Sequence, residues 1–215
     1  MQKKSRFNVF TFMMLIILSL TFQPAISAYA ACPDDIFSYW KLDETAGSNY
    51  EDFIKGNDGT GGTGNPPNPP TAAAGIVNGA QDFNGTDTEI NVPADNSFDW
   101  QSDESFSIEF WVNIDSGAPA ANQVVIGRQA AGGLQWWVGI NGGDGLISFL
   151  LRDRTGAGAA ADLEGVGNIN PTDGLWHHVV AVRDNSTDEN FIYVDGVLQG
   201  SSTFDYLAGF DSATA

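Results

Sequence analysis

From Phe106 to Ile114 apolar residues take every second position. Phe106, Ile108, Phe110, Val112 and Ile114 form one set, with Ser107, Glu109, Trp111 and Asn113 between them. That period of two predicts a half-buried strand, and helical spacing fits it poorly. In 145–153, Ile147, Phe149 and Leu151 again share one face. Similar short runs predict strands at 36–42, 81–84, 88–93, 123–129, 134–140, 176–183, 190–194 and 197–203. Asp195-Gly196 reads as the two-residue turn of a hairpin, because both residue types tolerate the backbone twist that such a turn needs. Residues 56–80, rich in Gly, Pro and Asn, predict an extended surface loop. No stretch has the period of an amphipathic helix. The expected fold is all-β: a two-sheet antiparallel β-sandwich of jelly-roll type, with Phe106, Phe110, Phe149 and Val182 meeting in its seam.

The two histidines of the chain are adjacent, in "DGLWHHVVAVRD". On a strand, Trp176, His178, Val180 and Val182 share one face, and His177, Val179, Ala181 and Arg183 the other. Neighbours on opposite faces do not chelate one ion, since a metal-binding pair needs a common face. The expectation is architectural: a half-buried, hydrogen-bonded His178 packed with Trp176, after an Asp173-Gly174 turn.

Composition adds a compartment. Residues 1–30 have a basic start (Lys3, Lys4, Arg6), an apolar stretch from Phe7 to Phe22 and a small-residue Ala28-Tyr29-Ala30 site. This is the layout of a secretory signal peptide, which places the domain at 31–215 and the protein outside the cell or on its surface. No later stretch is apolar enough to span a membrane. The chain carries −18. Loss of the three leading bases leaves 27 acids, 6 bases and −21. Such a surface repels nucleic acid and anionic lipid. Cys32 is the sole cysteine, so no intrachain disulfide forms, and lipidation of Cys32 is the minority alternative.

Several motifs carry a resemblance. "YWKLDETAG", Asp52, "GNDGT", "GAQDFNGTDTEINVP", "SFSIEFWVN", "DGLWHHVVAVRD" and "YVDGVLQG" occur in that order. Together they resemble the laminin-G-like jelly roll of the concanavalin A-like lectin/glucanase superfamily, in its bacterial secreted branch, over residues 36–205. In relatives the hairpin is followed by further strands, so the resemblance implies a domain lacking its C-terminal strands, with an open edge at 36–42.

Calcium is the expected cofactor. Hard cations want clustered oxygens, and "YEDFIKGNDGT" offers Glu51, Asp52, Asn57 and Asp58, with Asp82, Asp87 and Glu89 nearby. The resemblance narrows the set to Asp52, Asn57 and Asp58. The alternative is Asx turns on an acidic edge. For ligand binding, Trp111 shares a face with Glu109 and Asn113. Trp137, beside Gln135, lies off the face of Leu134, Trp136, Val138 and Ile140. If the two strands are neighbours, the tryptophans form a platform for a glycan.

The superfamily includes glycoside hydrolases, whose retaining members need two carboxyls roughly 5 Å apart. No Glu-x-Asp-x-Glu run occurs. Glu104 and Glu109 fall on opposite faces, and Asp103 and Glu109 stand about 20 Å apart along the strand. Nucleophile, phosphate-loop and zinc motifs are likewise missing. The reading is a non-catalytic extracellular module that binds a polysaccharide or a protein partner with calcium. Its alternatives are a glycoside hydrolase or lyase on the same fold, and a structural adhesin spacer.

Overall fold

The computed structural model describes residues 35–62, 68–130 and 133–210. The expected signal segment, Cys32 and the chain after Phe210 lie outside these residues. Five short strands come first: β1 (Asn49–Tyr50), β2 (Gly59–Gly61), β3 (Thr71–Ala74), β4 (Gly79–Asp82) and β5 (Ile90–Asn91). Eight longer ones follow: β6 (Phe106–Asn113), β7 (Gln123–Ala130), β8 (Gly133–Ile140), β9 (Ile147–Leu151), β10 (Leu163–Val166), β11 (Trp176–Asp184), β12 (Glu189–Val194) and β13 (Val197–Thr203). Every pairing among them is antiparallel.

The longer strands make two four-stranded sheets, ordered β10-β9-β8-β7 and β13-β12-β11-β6. Between them lies one seam of apolar side chains. The first sheet contributes Trp136, Val138, Ile140, Ile147, Phe149, Leu151 and Leu163. The second contributes Ile108, Val179, Ala181, Ile192 and Val194, with Phe106, Phe110 and Val112 packed against them. Tyr206 and Phe210 close one end. This is the sandwich expected from the period-two pattern.

Two expectations about β structure change. Segment 36–42 is not a strand: it makes an isolated bridge, Trp40 opposite Asp52. The loop 56–80 contains β2 and β3. β2 is nearly bare of side chains and is held between two bulky neighbours. A Cβ on Gly59 would lie 2.5 Å from Ile90 and one on Gly61 2.7 Å from the Tyr50 ring, so only glycine permits these strands to approach.

The larger correction concerns β11. His177, Val179, Ala181 and Arg183 face the seam, and Trp176, His178, Val180 and Val182 face outward. Both faces of this strand are apolar enough to be the buried one. Register decides: Val179 lies opposite Phe110 on β6 and Val194 on β12, and residues directly opposite share a face. Val182 is therefore outside the seam.

That choice buries a cation. Arg183 is 0% exposed. It is held by Asp188 at 2.8 Å, by the Phe204 carbonyl at 3.3 Å and by the Tyr206 ring 4.9 Å below its guanidinium. Tyr206 in turn donates its hydroxyl to the Leu151 carbonyl on the opposite sheet and accepts from Asn190. Burial pushes its phenol up to about 12, so it stays a neutral donor. Asp188 has φ +56°, which asparagine also tolerates. Asp188→Asn thus removes the charge without straining the turn. It is expected to lower the unfolding free energy by about 2 kcal/mol, read by urea denaturation, because a buried guanidinium is left uncompensated.

Candidate functional site

The outward face of the second sheet is where side chains gather without a covering layer of core residues. On β6, Ser107, Glu109, Trp111 and Asn113 are all exposed. Trp111 is 49% exposed. Cross-strand pairing sets His178 opposite Trp111 and Val180 opposite Glu109, then Tyr193 opposite Val180 and Phe191 opposite Val182. The Trp111 and His178 rings lie 5.1 Å apart, tilted by 37°. His178 Nε2 stands 3.9 Å from a Glu109 carboxylate oxygen. Asn113 donates its amide to the Gly174 carbonyl at 3.0 Å, which leaves its own carbonyl oxygen as an acceptor. Trp111, Glu109, Asn113 and His178 thus form one open cluster. His178 is the member that sequence reasoning assigned elsewhere.

Trp137 is not part of it. Its strand, β8, belongs to the other sheet, and the ring is 3% exposed. It lies opposite Gly127 and Leu150, where a Cβ on Gly127 would come 2.9 Å from the Trp137 Cβ. The two-tryptophan platform is therefore not formed, because the two strands are not neighbours.

The buried histidine is His177, not His178. It is 7% exposed. Nδ1 lies 2.8 Å from Asp195 and Nε2 3.1 Å from Asp173. Both ring nitrogens face carboxylates, so both must donate, and the ring is an imidazolium. Burial alone would lower its pKa; the hydrogen bonds and charges of Asp195 and Asp173 outweigh that and raise it above the ordinary histidine value. The remaining oxygen of Asp195 accepts the His178 backbone N–H at 2.9 Å. Asp195 and Gly196, at φ +52° and +75°, make the β12–β13 turn. One imidazolium thus ties this hairpin to the turn that opens β11. His178 meets Trp111 rather than the expected Trp176, which is half-buried on the outward face.

Asp52 is 4% exposed and fully occupied. One oxygen accepts from Tyr39 at 2.9 Å and Ile54 at 3.0 Å, the other from Lys55 at 3.3 Å and Asn57 at 3.1 Å, all backbone N–H groups. Burial pushes its pKa up, but these donors prevail and hold it below the usual carboxylate value. The Asp52 N–H donates to Asp58 at 2.9 Å. Asn57 donates to the Ser38 and Ser97 hydroxyls and accepts the Trp40 indole N–H on its carbonyl.

A laminin-G family model, described as concanavalin A-like lectin/glucanases superfamily, matches residues 84–214. The chain belongs to this superfamily. Among solved structures, it is similar to the binding domain of Paraclostridial Mosquitocidal Protein 1. That likeness has a TM-score of 0.59 and 16% identity, covering 82% of this chain and 42% of the other. It is also similar to domain 4 of AbnA, a GH43 extracellular arabinanase from Geobacillus stearothermophilus, solved with arabinotriose. There the TM-score is 0.43 and the identity 16%, over 67% of this chain and 62% of that one. The first likeness shows the fold; the chain spans less than two thirds of either structure. No curated protein matches it.

For this concanavalin A-like chain, the calcium expected at Asp52, Asn57 and Asp58 can be tested on the donor set. The three residues are brought together. A carboxylate has about four lone-pair sites, and four N–H groups already fill those of Asp52. The set does not fit a calcium ion at Asp52, and it ties residues 38–40 to 52–58 instead. The nearby Asp87 is taken by Asn68 and Asn84 side chains. Among the described residues no three His, Cys, Asp or Glu side chains converge on a common metal position.

Three outcomes follow from these clusters. Removing the Asp52 carboxylate in Asp52→Ala is expected to cost about 3 kcal/mol in a thermal melt, because several buried N–H groups lose their acceptor. Millimolar calcium is expected to leave the parent midpoint unchanged; a rise that Asp52→Asn abolishes would restore the metal at this position. The raised pKa of His177 means that its stabilisation is complete below the unfolded-state value and fades as pH climbs through the folded-state value. His177→Gln should therefore be less stable than the parent by about 1–2 kcal/mol near pH 6, with the gap closing in alkaline buffer.

Proposed function

We propose that this chain is a non-catalytic binding module of an exported or cell-surface protein, taking carbohydrate on the open face around Trp111. The observation that carries this reading is a half-exposed indole flanked on its own strand by Glu109 and Asn113. A large aromatic left in water forgoes roughly 2 kcal/mol of burial, and a ligand with an apolar face recovers it. A pyranose ring has that face, and its edge hydroxyls suit a carboxylate and an amide carbonyl. Export rests on the N-terminal charge and hydropathy pattern, and a concanavalin A-like scaffold is compatible with binding without naming the ligand. The non-catalytic part rests on the carboxylates: Glu104 holds the Gln101 N–H at 2.7 Å while Glu109 lies on the outward face.

A second reading, docking of a protein, is favoured by Val180, Val182, Phe191 and Tyr193. They are half-buried and continue the apolar surface away from Trp111.

Tryptophan fluorescence titrations with soluble polysaccharides would test the first reading. Trp111→Ala should remove binding, weakening it by at least about tenfold while leaving the melting midpoint within a degree or so, because the side chain is outside the seam. Saccharides bound equally well by Trp111→Ala would refute this site. Reducing-end assays on the same polysaccharides should show no turnover in either the parent or Glu109→Gln.

A further inference from the structure

The open face is predominantly acidic. Strands β6, β11, β12 and β13 carry Glu109, Asp184 and Glu189, while Arg183 is buried and turned inward and His178 is the basic side chain that stays on the outward face. Asp173 and Asp195 flank His177, whose side chain faces the seam, and Asp195 also accepts the His178 backbone N–H. Cations elsewhere in the fold are engaged away from this face: Arg128 with Asp99, Arg152 with Asp162, Lys41 over Phe53 and Lys55 over Phe37. The chain as a whole adds −18 to the background field. A ligand that stacks on Trp111 therefore enters a field set by Glu109 and the chain's net −18, with the His178 imidazole 3.9 Å from that carboxylate.

Resting on the carbohydrate reading above, we propose that the Trp111 face selects cationic amino sugars, oligosaccharides of the glucosamine type with free ammonium groups. Stacked on the indole, such a ring projects its ammonium at the ring edge. Glu109 lies two residues along β6, about 7 Å away at strand spacing, within reach of that edge. The ammonium gains a charge-assisted hydrogen bond there and cation–π attraction from the indole. Asn113, equally far on the other side, meets the hydroxyls. A lysine or arginine side chain would use Glu109 and Trp111 but has no hydroxyl for Asn113, so the sugar makes the fuller use of the face. Anionic glycans are repelled, and neutral ones gain the stacking and the hydroxyl contacts without the charge.

The test titrates the purified exported chain with glucosamine oligomers, their N-acetylated counterparts, neutral glucose oligomers and oligolysine of matched length, in buffer acidic enough to keep the amines protonated. Glucosamine oligomers are expected to bind at least about tenfold more tightly than the acetylated series. Glu109→Gln, at an exposed position, should erase that preference and bring the glucosamine and acetylated series to similar affinity. Equal or tighter binding of the acetylated or neutral series through Trp111 overturns the charge selection and leaves the carbohydrate reading standing. If no saccharide binds, that reading itself fails. Oligolysine that binds as tightly with the same Trp111 dependence overturns the sugar in favour of a basic peptide.

Discussion

The register of β11 between β6 and β12 is the constraint on which the rest of the molecule depends. A slip of one residue would exchange the two faces of the strand. It would send Val179 and Ala181 to solvent and bring Trp176, Val180 and Val182 into a seam already filled by Phe110, Ile108 and Ile192. The same slip would move His177 away from Asp195 and Asp173, and expose the guanidinium of Arg183. It would also withdraw His178 from Trp111. Core, clamp and open face are consequences of one alignment.

That alignment is held by polar groups at the two ends of β11 rather than by hydrophobic area, which both faces offer. At one end the His177 imidazolium bridges Asp173 and Asp195, and Asp195 also holds the His178 N–H. At the other, Arg183 is matched to Asp188, Phe204 and Tyr206. Buried charges left without partners are expensive, so only the register that pairs them all is accessible. Asp52 plays a similar part at the N-terminal end. Its four backbone donors fold the segment around Trp40 and Asn57 into a fixed corner and occupy both oxygens of Asp52.

The acidity of the chain acts at a different scale. Three arginines pair with Asp99, Asp162 and Asp188, and the exposed Lys41 and Lys55 lie over aromatic rings. Acids outnumber bases 27 to 9 in the chain, and the outward face of the second sheet inherits their field. An exposed indole in that field behaves differently from one on a neutral surface, because charge biases what approaches it before stacking begins.

Much of the fold was legible along the chain. Strict alternation in 106–114, the Asp195-Gly196 turn and the ordered motifs determine strands, a hairpin and a concanavalin A-like sandwich, since period and turn chemistry are local properties. Trp111, Glu109 and Asn113 also share a face by strand geometry alone. Tertiary structure decided the rest. Whether Trp111 and Trp137 meet depends on which sheet each strand joins, a pairing between distant segments. Which histidine is buried depends on the neighbours of β11, because its two faces are almost equally apolar. Whether Asp52 has a free oxygen depends on four N–H groups, one of them from Tyr39 across the bridge. The sequence carries the period of each strand; the partners that choose its face come together only in the folded sheets.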